Sequence, residues 1–188
     1  MFLLGSASPR RRELFGLLQV PFRIAAPDVN EERLAGEAPA VYLERIGLAK
    51  ADALAIEPGD RALLVADTTV IVDGDILGKP SSAAEARSML ERLSGRAHEV
   101  ATRFLIRTLG GVTSEYGQTV YTAVTFRALG AAELEAYAAS GEGSDKAGGY
   151  AIQGGAAAFV HEIQGSYSNV VGLPISHVAE ALDRLGLR

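Results

Sequence analysis

Apolar and polar residues follow one another along this chain in blocks whose spacing predicts interleaved strands and helices. Short apolar or β-branched runs bounded by turn residues predict strands. These runs cover residues 2–6, 20–25, 62–72, 99–107, 119–127 and 157–163. Apolar residues at helical spacing cover residues 9–18, about 39–56, 82–95, 131–139 and 174–185. Such interleaving predicts an α/β fold with a mixed sheet.

Turn and capping residues support several of these boundaries. Ser8 is a good helix N-cap, and Pro9 stands at the favoured first helical position. Ser82 to Glu85 has the spacing of a capping box. Asp73-Gly74 predicts a tight hairpin turn, and Gly110-Gly111 is expected in or near the turn between two paired strands.

Composition and charge narrow the class of protein. The chain has 188 residues, of which 48% are hydrophobic and 22% charged, as expected for a folded protein with a sizeable core. Its net charge of -5 argues against a general nucleic-acid binder. It has no cysteine, so disulfides and thiolate metal sites are excluded. No signal peptide or membrane-spanning stretch is recognised, and we expect a cytoplasmic protein that binds no membrane.

Three consecutive arginines at a predicted helix start are the first candidate for chemistry. Arg10, Arg11 and Arg12 follow Pro9 and fall in the first turn, where the helix dipole disfavours basic residues. An anion bound there, on free backbone N–H groups and guanidinium groups, would account for their position. The alternative is an ordinary solvated basic turn.

Asp67 is the second candidate, because it interrupts an otherwise apolar and β-branched strand. A buried carboxylate without a partner costs several kcal/mol, so such a residue is normally paired, hydrogen-bonded or metal-bound. Asp67 is therefore a candidate metal ligand or general base. The alternative is a structural acid at a strand end or bulge.

Two loops and a polar segment could contact a ligand. Lys79 precedes Pro80 at a predicted helix start, where it could reach a phosphate. Residues 140–155 are rich in glycine and contain Lys146 and Gln153, whose amide could read a base edge. Residues 165–169 could line a pocket or form a helical turn. Each feature taken alone is also compatible with a solvated surface loop.

The histidines show no metal-binding spacing. His98, His161 and His177 are isolated in the sequence, and we expect each to be structural or exposed. His98 is the best candidate for another role, because it closely follows Ser94-Gly95.

Taken together and in order, these segments resemble the Maf family of nucleotide pyrophosphatases. The matching segments are SASPRR from Ser6, VNEE from Val29, ADTTV from Ala66, GKP from Gly78, LSGRAHEV from Leu93, DKAGGYAIQG from Asp145 and GSYSNVVGLP from Gly165. The resemblance spans nearly the whole chain and implies a single domain over residues 1–188. It also implies an elongated, curved mixed sheet flanked by helices, in two lobes with a central cleft, similar to inosine triphosphate pyrophosphatase.

The resemblance implies a hydrolase that cleaves nucleoside triphosphates to the monophosphate and pyrophosphate with a divalent cation. The DKAGGYAIQG segment resembles the branch that acts on dTTP and UTP, with modified pyrimidine nucleotides a further possibility. The resemblance implies that Asp67 is the proton acceptor and that Arg10, Thr68 and Gln153 discriminate between substrates. It also implies a homodimer.

We assign the remaining roles as hypotheses. Glu31 and Asp67 would hold Mg²⁺ or Mn²⁺, which prefer oxygen ligands. Asn30 stands where the family often has Asp, which leaves the number of metal ligands in this loop open. The polyphosphate would be bound by a larger set of groups, namely Ser8, Arg10, Arg11 and Lys79, with Lys50 and Lys146 as additional contacts.

Two other functions stay open at the level of sequence. A non-catalytic nucleotide-binding regulator of cell division would bind nucleotides without releasing pyrophosphate. An enzyme of the same class could act on modified nucleotides or purines instead. A nucleic-acid-binding function conflicts with the net charge of -5.

Overall fold

A computed structural model describes residues 1–110 and 113–188 and has an α/β fold. The described strands are β1 (Phe2–Gly5), β2 (Phe22–Ala25), β3 (Ala62–Val72), β4 (Asp75–Leu77), β5 (Ala97–Thr108), β6 (Glu115–Phe126) and β7 (Val160–Gln164). The described α-helices are α1 (Pro9–Gly16), α2 (Pro39–Asp52), α3 (Ala83–Leu93), α4 (Ala131–Ser140), α5 (Tyr167–Val171) and α6 (Ile175–Arg184). Short 3-10 helices cover Ala147–Gly149 and Gly155–Ala158.

The strands of residues 1–110 and 113–188 form one mixed sheet in the order β2-β1-β3-β5-β6-β7, with β4 paired to β3. β1 pairs in parallel with both β2 and β3, whereas the β3–β4 and β6–β7 pairs are antiparallel. The predicted α/β fold, with a mixed sheet flanked by helices, is therefore confirmed.

The chain divides into two compact units, which agrees with the two lobes that the family resemblance implies. Unit 1 comprises Met1–Asp67, Thr102–Val120 and Gly172–Arg188, and unit 2 comprises Thr68–Ala101 and Tyr121–Val171. β3 passes from unit 1 to unit 2 between Asp67 and Thr68.

Apolar side chains from strands and helices form the core of each unit. In unit 1, Phe2, Phe15 and Phe104 are fully buried, and the Phe2 and Phe15 rings meet edge to face at 5.7 Å. In unit 2, the ring centroids of Phe126 and Tyr150 are 4.9 Å apart, and those of Tyr137 and Phe159 are 5.1 Å apart. Aromatic rings packed in this way stabilise a core by more than the burial of their surface alone would.

Several boundaries follow the local signals in the sequence. Ser8 and Ser82 are the N-caps of α1 and α3, and each accepts a hydrogen bond from the backbone three residues further on. Asp73 and Gly74 both have positive φ, as the predicted hairpin turn requires. Gly110 also has positive φ, and the prediction for Gly111 lies outside the described residues.

Two predicted boundaries are wrong. The helix expected to reach about residue 56 ends at Asp52, and the Ala55 carbonyl beyond it instead accepts a hydrogen bond from Arg23 of β2 at 3.0 Å. The strand expected from residue 157 begins at Val160, because Gly155–Ala158 folds into a 3-10 helix. In both places, the element covers less of the chain than its hydrophobic pattern predicts.

No helix among the described residues has the length and hydrophobicity needed to span a bilayer.

Candidate active site

A buried lysine joins two carboxylates in unit 1. Asp67 lies in β3 and is 7% exposed, and Lys50 lies in the last turn of α2 and is 6% exposed. The Lys50 Nζ atom is 2.6 Å from Asp67 Oδ1 and 2.6 Å from Glu31 Oε1. The burial expected for Asp67 is thus matched by a charged partner, which offsets the cost of removing the carboxylate from water.

Side chains of α2 hold the loop that carries Glu31. The Tyr42 hydroxyl donates a hydrogen bond to the Glu31 carbonyl at 3.2 Å, and Arg45 donates one to the Glu32 carbonyl at 3.0 Å. Arg45 also pairs with Glu37 through two contacts of 2.7 Å, and these hydrogen bonds lower the pKa of Glu37 to about 2. The loop is therefore anchored to the helix that supplies Lys50.

Sequence reasoning missed Tyr42 and Arg45 as supports of the acidic loop. Tyr42 fits the apolar face of α2, and no local pattern shows that its hydroxyl reaches back to Glu31. The only usable signal was the succession of an acidic loop and a helix containing Arg45.

Asn30 takes part in a local turn within this loop. Its Oδ1 atom accepts a hydrogen bond from the Glu32 backbone at 2.9 Å, and its Nδ2 atom lies 3.3 Å from Glu32 Oε2. The side chain thus caps the turn in the way typical of Asn and Asp.

The start of α1 places Arg11 near the same carboxylates. Ser8 Oγ accepts a hydrogen bond from the Arg11 backbone at 3.4 Å, and Arg11 Nε donates to the Gly172 carbonyl at 2.8 Å. Burial lowers the pKa of Arg11, and the charges of Asp67 and Glu31 oppose that shift. Arg10, next in the chain, is partly buried at the same helix start.

Unit 1 therefore brings together two carboxylates, one ammonium group, a guanidinium group and a helix N-terminus. The predicted site residues of this unit are Ser8, Arg10, Arg11, Glu31, Lys50 and Asp67. Such a set can bind a polyanion, retain a cation and offer a carboxylate as a proton acceptor.

The predicted site residues of unit 2 are Thr68, Lys79, Lys146 and Gln153. The loop that contains Lys79 meets the glycine-rich loop, because the Gly148 backbone donates a hydrogen bond to the Gly78 carbonyl at 3.0 Å. Lys146 Nζ donates to the Glu142 carbonyl at 2.8 Å, so this ammonium group is engaged within its own loop. Lys79 and Gln153 are exposed, and Thr68 is partly buried in β3.

Gly148 shows why this loop needs glycine. Its φ is +71°, and a Cβ atom at this position would lie 2.8 Å from Val70 Cγ2. A side chain here would therefore force the loop away from β3.

The polar segment at 165–169 forms a helical turn. Ser166 Oγ accepts a hydrogen bond from the Asn169 backbone at 3.2 Å, at the start of α5. Asn169 is fully buried, and its Nδ2 atom donates to the Val100 carbonyl at 2.9 Å and to Thr122 Oγ1 at 3.0 Å. The segment therefore ties α5 to β5 and β6.

The histidines belong to no metal-binding cluster in the part of the chain that the structure describes. His98 is 3% exposed and its Nε2 atom lies 2.8 Å from the Tyr150 hydroxyl, whereas His161 is exposed. Within residues 1–110 and 113–188, no three His, Cys, Asp or Glu side chains are grouped so that they could hold a metal ion.

The chain is similar to known proteins of one family over nearly its full length. The family described as Maf-like protein matches residues 1–185. The chain is 47% identical over 186 residues to the dTTP/UTP pyrophosphatase of Geotalea uraniireducens, covering 98% of this chain and 94% of that protein. It is 48% identical over 186 residues to the protein of the same name from Sphingopyxis alaskensis, covering 98% of this chain and 96% of that protein.

Among solved structures, the chain is similar to the Ham1 protein of Staphylococcus aureus. The TM-score is 0.42 at 15% sequence identity, covering 66% of this chain and 71% of that one.

Proposed function

Because the chain belongs to the Maf-like protein family, we propose that it is a nucleoside triphosphate pyrophosphatase that converts dTTP and UTP to the monophosphate and pyrophosphate. The observation that supports this reaction is the buried Asp67 carboxylate, which shares the Lys50 ammonium group with Glu31. The preference for dTTP and UTP rests on the names of relatives that are nearly half identical along the whole chain.

In the proposed reaction, Asp67 accepts a proton from the attacking water. The oxygen of that water forms a bond to the α-phosphorus, and the bond from this phosphorus to the α–β bridging oxygen breaks. Pyrophosphate then leaves with the electron pair of that bond. Lys50 keeps the Asp67 carboxylate in place at 2.6 Å and offsets its charge.

The polyphosphate requires positive groups that are fixed before it binds. Arg10, Arg11 and the N-terminus of α1 would bind the leaving pyrophosphate, with Lys79 and Lys146 as further contacts. The hydrogen bond from Arg11 to the Gly172 carbonyl orients this guanidinium group in advance. Gln153, Thr68 and Arg10 would discriminate between nucleotides.

The donor set of unit 1 fits a divalent cation. Glu31 Oε1 and Asp67 Oδ1 both lie 2.6 Å from one nitrogen atom, so these oxygens are at most twice that distance apart. Mg²⁺ is commonly held by one or two carboxylates together with substrate phosphates and water. Glu31 and Asp67 would hold Mg²⁺ or Mn²⁺, which when bound would neutralise charge on the phosphates.

Other properties of the protein belong to the same proposal. We propose that residues 1–188 act as one Maf-like domain, because the family match extends through both units. The net charge of -5 supports the proposal that nucleic acid is not a partner. A homodimer and a cytoplasmic location stay predictions.

The direct test is release of pyrophosphate from dTTP, UTP, CTP, ATP, GTP and methylated analogues, with Mg²⁺ or Mn²⁺. We expect strong release from dTTP and UTP. In Asp67→Asn, kcat should fall at least ~100-fold while dTTP still binds, because the variant lacks the proton acceptor.

Asp73→Asn is the matched control, since Asp73 is an exposed carboxylate in the turn that follows β3. Its kcat should stay within about twofold of wild type. Saturable binding without pyrophosphate release from any nucleotide would instead favour the non-catalytic regulator. Full turnover in Asp67→Asn would refute the role of Asp67.

A further inference from the structure

Gln153 stands on a tight turn whose neighbouring residues are anchored. The Gly154 backbone donates a hydrogen bond to the Ala151 carbonyl at 3.0 Å, which closes the turn around Ile152 and Gln153. The Gln153 side chain is exposed, whereas Tyr150 and Ile152 are buried. The position of the Gln153 amide therefore depends on how firmly this turn is held.

Two side chains, one in α4 and one just after it, hold the turn on both sides. The Ala151 backbone donates a hydrogen bond to the Tyr137 hydroxyl at 2.9 Å. The Gly155 backbone donates to both carboxylate oxygens of Glu142, each at 3.0 Å. Ala151, which opens the turn, and Gly155, which follows it, are thus both hydrogen-bonded to side chains of residues 137–142.

The two anchors also interact electrostatically. Burial raises the pKa of Tyr137 to about 12, the hydrogen bond from the Ala151 backbone opposes this shift, and the charge of Glu142 adds to it. The Tyr137 hydroxyl and the Glu142 carboxylate thus act on neighbouring parts of the same turn.

Gly154 allows the carboxylate to come this close. A Cβ atom built at this position would lie 1.4 Å from Glu142 Oε1, and one at Gly155 would lie 3.0 Å from Oε2. The two glycines that follow Gln153 thus leave the space that the Glu142 carboxylate occupies.

We propose that Tyr137 and Glu142 are positioning residues for recognition of the nucleobase, because they hold the turn from which Gln153 reaches it. This inference rests on the proposed function, in which Gln153 reads the pyrimidine. A polar group rejects the wrong base well only when its place is fixed, since a mobile amide can move to satisfy either base. Neither Tyr137 nor Glu142 needs to touch the nucleotide.

The test compares the selectivity of variants for UTP over CTP. Tyr137→Phe keeps the ring and removes the hydroxyl that accepts from Ala151. We expect its ratio of kcat/KM for UTP to that for CTP to fall about tenfold, mainly through a higher KM for UTP, with kcat within about twofold of wild type. Tyr121→Phe, which changes an exposed tyrosine of β6, is the matched control and should keep the wild-type ratio.

Glu142 gives an independent test by conservative rescue. Glu142→Ala removes both acceptors of the Gly155 hydrogen bond and should lower the ratio as Tyr137→Phe does. Glu142→Gln keeps one acceptor and should restore most of the selectivity. The thermal midpoint of each variant is measured in parallel. If Tyr137→Phe does not fold, the difference in selectivity between Glu142→Ala and Glu142→Gln tests the inference instead.

A double variant shows whether Tyr137 acts through Gln153. The ratio for Tyr137→Phe combined with Gln153→Ala should equal that of Gln153→Ala alone. Additive losses, an unchanged ratio in Tyr137→Phe, or an equal loss for every nucleotide would overturn the inference.

Wild-type activity separates the two proposals. If the wild-type protein releases no pyrophosphate from any nucleotide, the proposed function fails and this inference fails with it. If the wild type discriminates between UTP and CTP but Tyr137→Phe and Glu142→Ala discriminate equally well, only this inference is wrong.

Discussion

At the scale of single residues, burial has different consequences for two polar side chains, Lys50 in unit 1 and His98 in unit 2. Lys50 is buried in unit 1 with two carboxylates 2.6 Å away, so its charge is matched. His98 is buried in unit 2, where its Nε2 atom meets the Tyr150 hydroxyl and its Nδ1 atom has no hydrogen-bond partner among the described residues. Burial removes water that would solvate a charged imidazole, and it lowers the pKa of His98 from 6.5 to about 4.

This shift predicts a dependence of stability on pH. The folded protein binds the His98 proton more weakly than the unfolded chain, so the contribution to the free energy of unfolding is complete above pH 6.5 and is lost as the pH falls towards 4. Between about pH 7.5 and about pH 5, wild type should lose about 2 kcal/mol more than His98→Gln.

Urea unfolding at the two pH values measures this difference. His161→Gln, which changes an exposed histidine of β7, serves as the control and should follow wild type. Parallel losses in wild type and His98→Gln would mean that His98 is protonated equally easily in the folded and unfolded chain.

At the scale of elements, α1 combines good capping with unfavourable charge. Ser8 caps the helix and Pro9 begins it, yet its first turn contains no acidic residue and instead contains arginines. Because the helix dipole is positive at this end, the arginines destabilise α1 unless an anion is bound. This charge pattern is the one expected if α1 binds an anion, as the proposed function requires.

Arg10→Gln should separate these two effects. We expect the free energy of unfolding to rise by about 0.5 kcal/mol, because a charge that opposes the dipole is removed. The same variant should lower kcat/KM for dTTP at least about tenfold, because a charge-assisted contact to phosphate is lost.

Arg12→Gln is the matched variant, since Arg12 is the exposed arginine of the same run. It should show a similar gain in stability with kcat/KM close to that of wild type. Stability and activity that fall together in Arg10→Gln would instead indicate a structural partner for Arg10.

At the scale of the whole molecule, a net charge of -5 opposes the approach of a triphosphate. In the proposed function, binding would therefore depend on the local positive groups at the start of α1 and on the cation that Glu31 and Asp67 would hold. A ligand that binds only the folded chain must also raise its stability.

A dTTP analogue with nitrogen in the α–β bridge allows this linkage to be measured without turnover. With Mg²⁺ present and the analogue at about 100 times its Kd, the free energy of unfolding should rise by about 2.7 kcal/mol. At the same concentration, the increase should be smaller in Arg10→Gln, because the variant binds phosphate less tightly. An increase of equal size in Arg10→Gln would exclude Arg10 from the phosphate site.

The sequence predicted those parts of the protein that depend on neighbours along the chain. Caps at Ser8 and Ser82, the turn at Asp73-Gly74 and the burial of Asp67 all follow from local conformational preferences and from hydrophobic periodicity. The predicted end of α2 and the predicted start of β7 were wrong. The Ala55 carbonyl is bound by Arg23 of another strand, and Gly155–Ala158 folds into a 3-10 helix, and neither contact is visible in the apolar pattern. The family, too, could be recognised from the order of its segments.

Only the tertiary structure decided which distant side chains meet. Nothing in the local pattern shows that Lys50 reaches both Asp67 and Glu31, that Tyr42 supports the acidic loop, or that Tyr137 and Glu142 hold the turn of Gln153. Periodicity reports which face of an element is buried, but the partner on that face depends on how strands and helices pack. The sequence by itself therefore determined the elements and the candidate chemistry, and packing determined the contacts that position it.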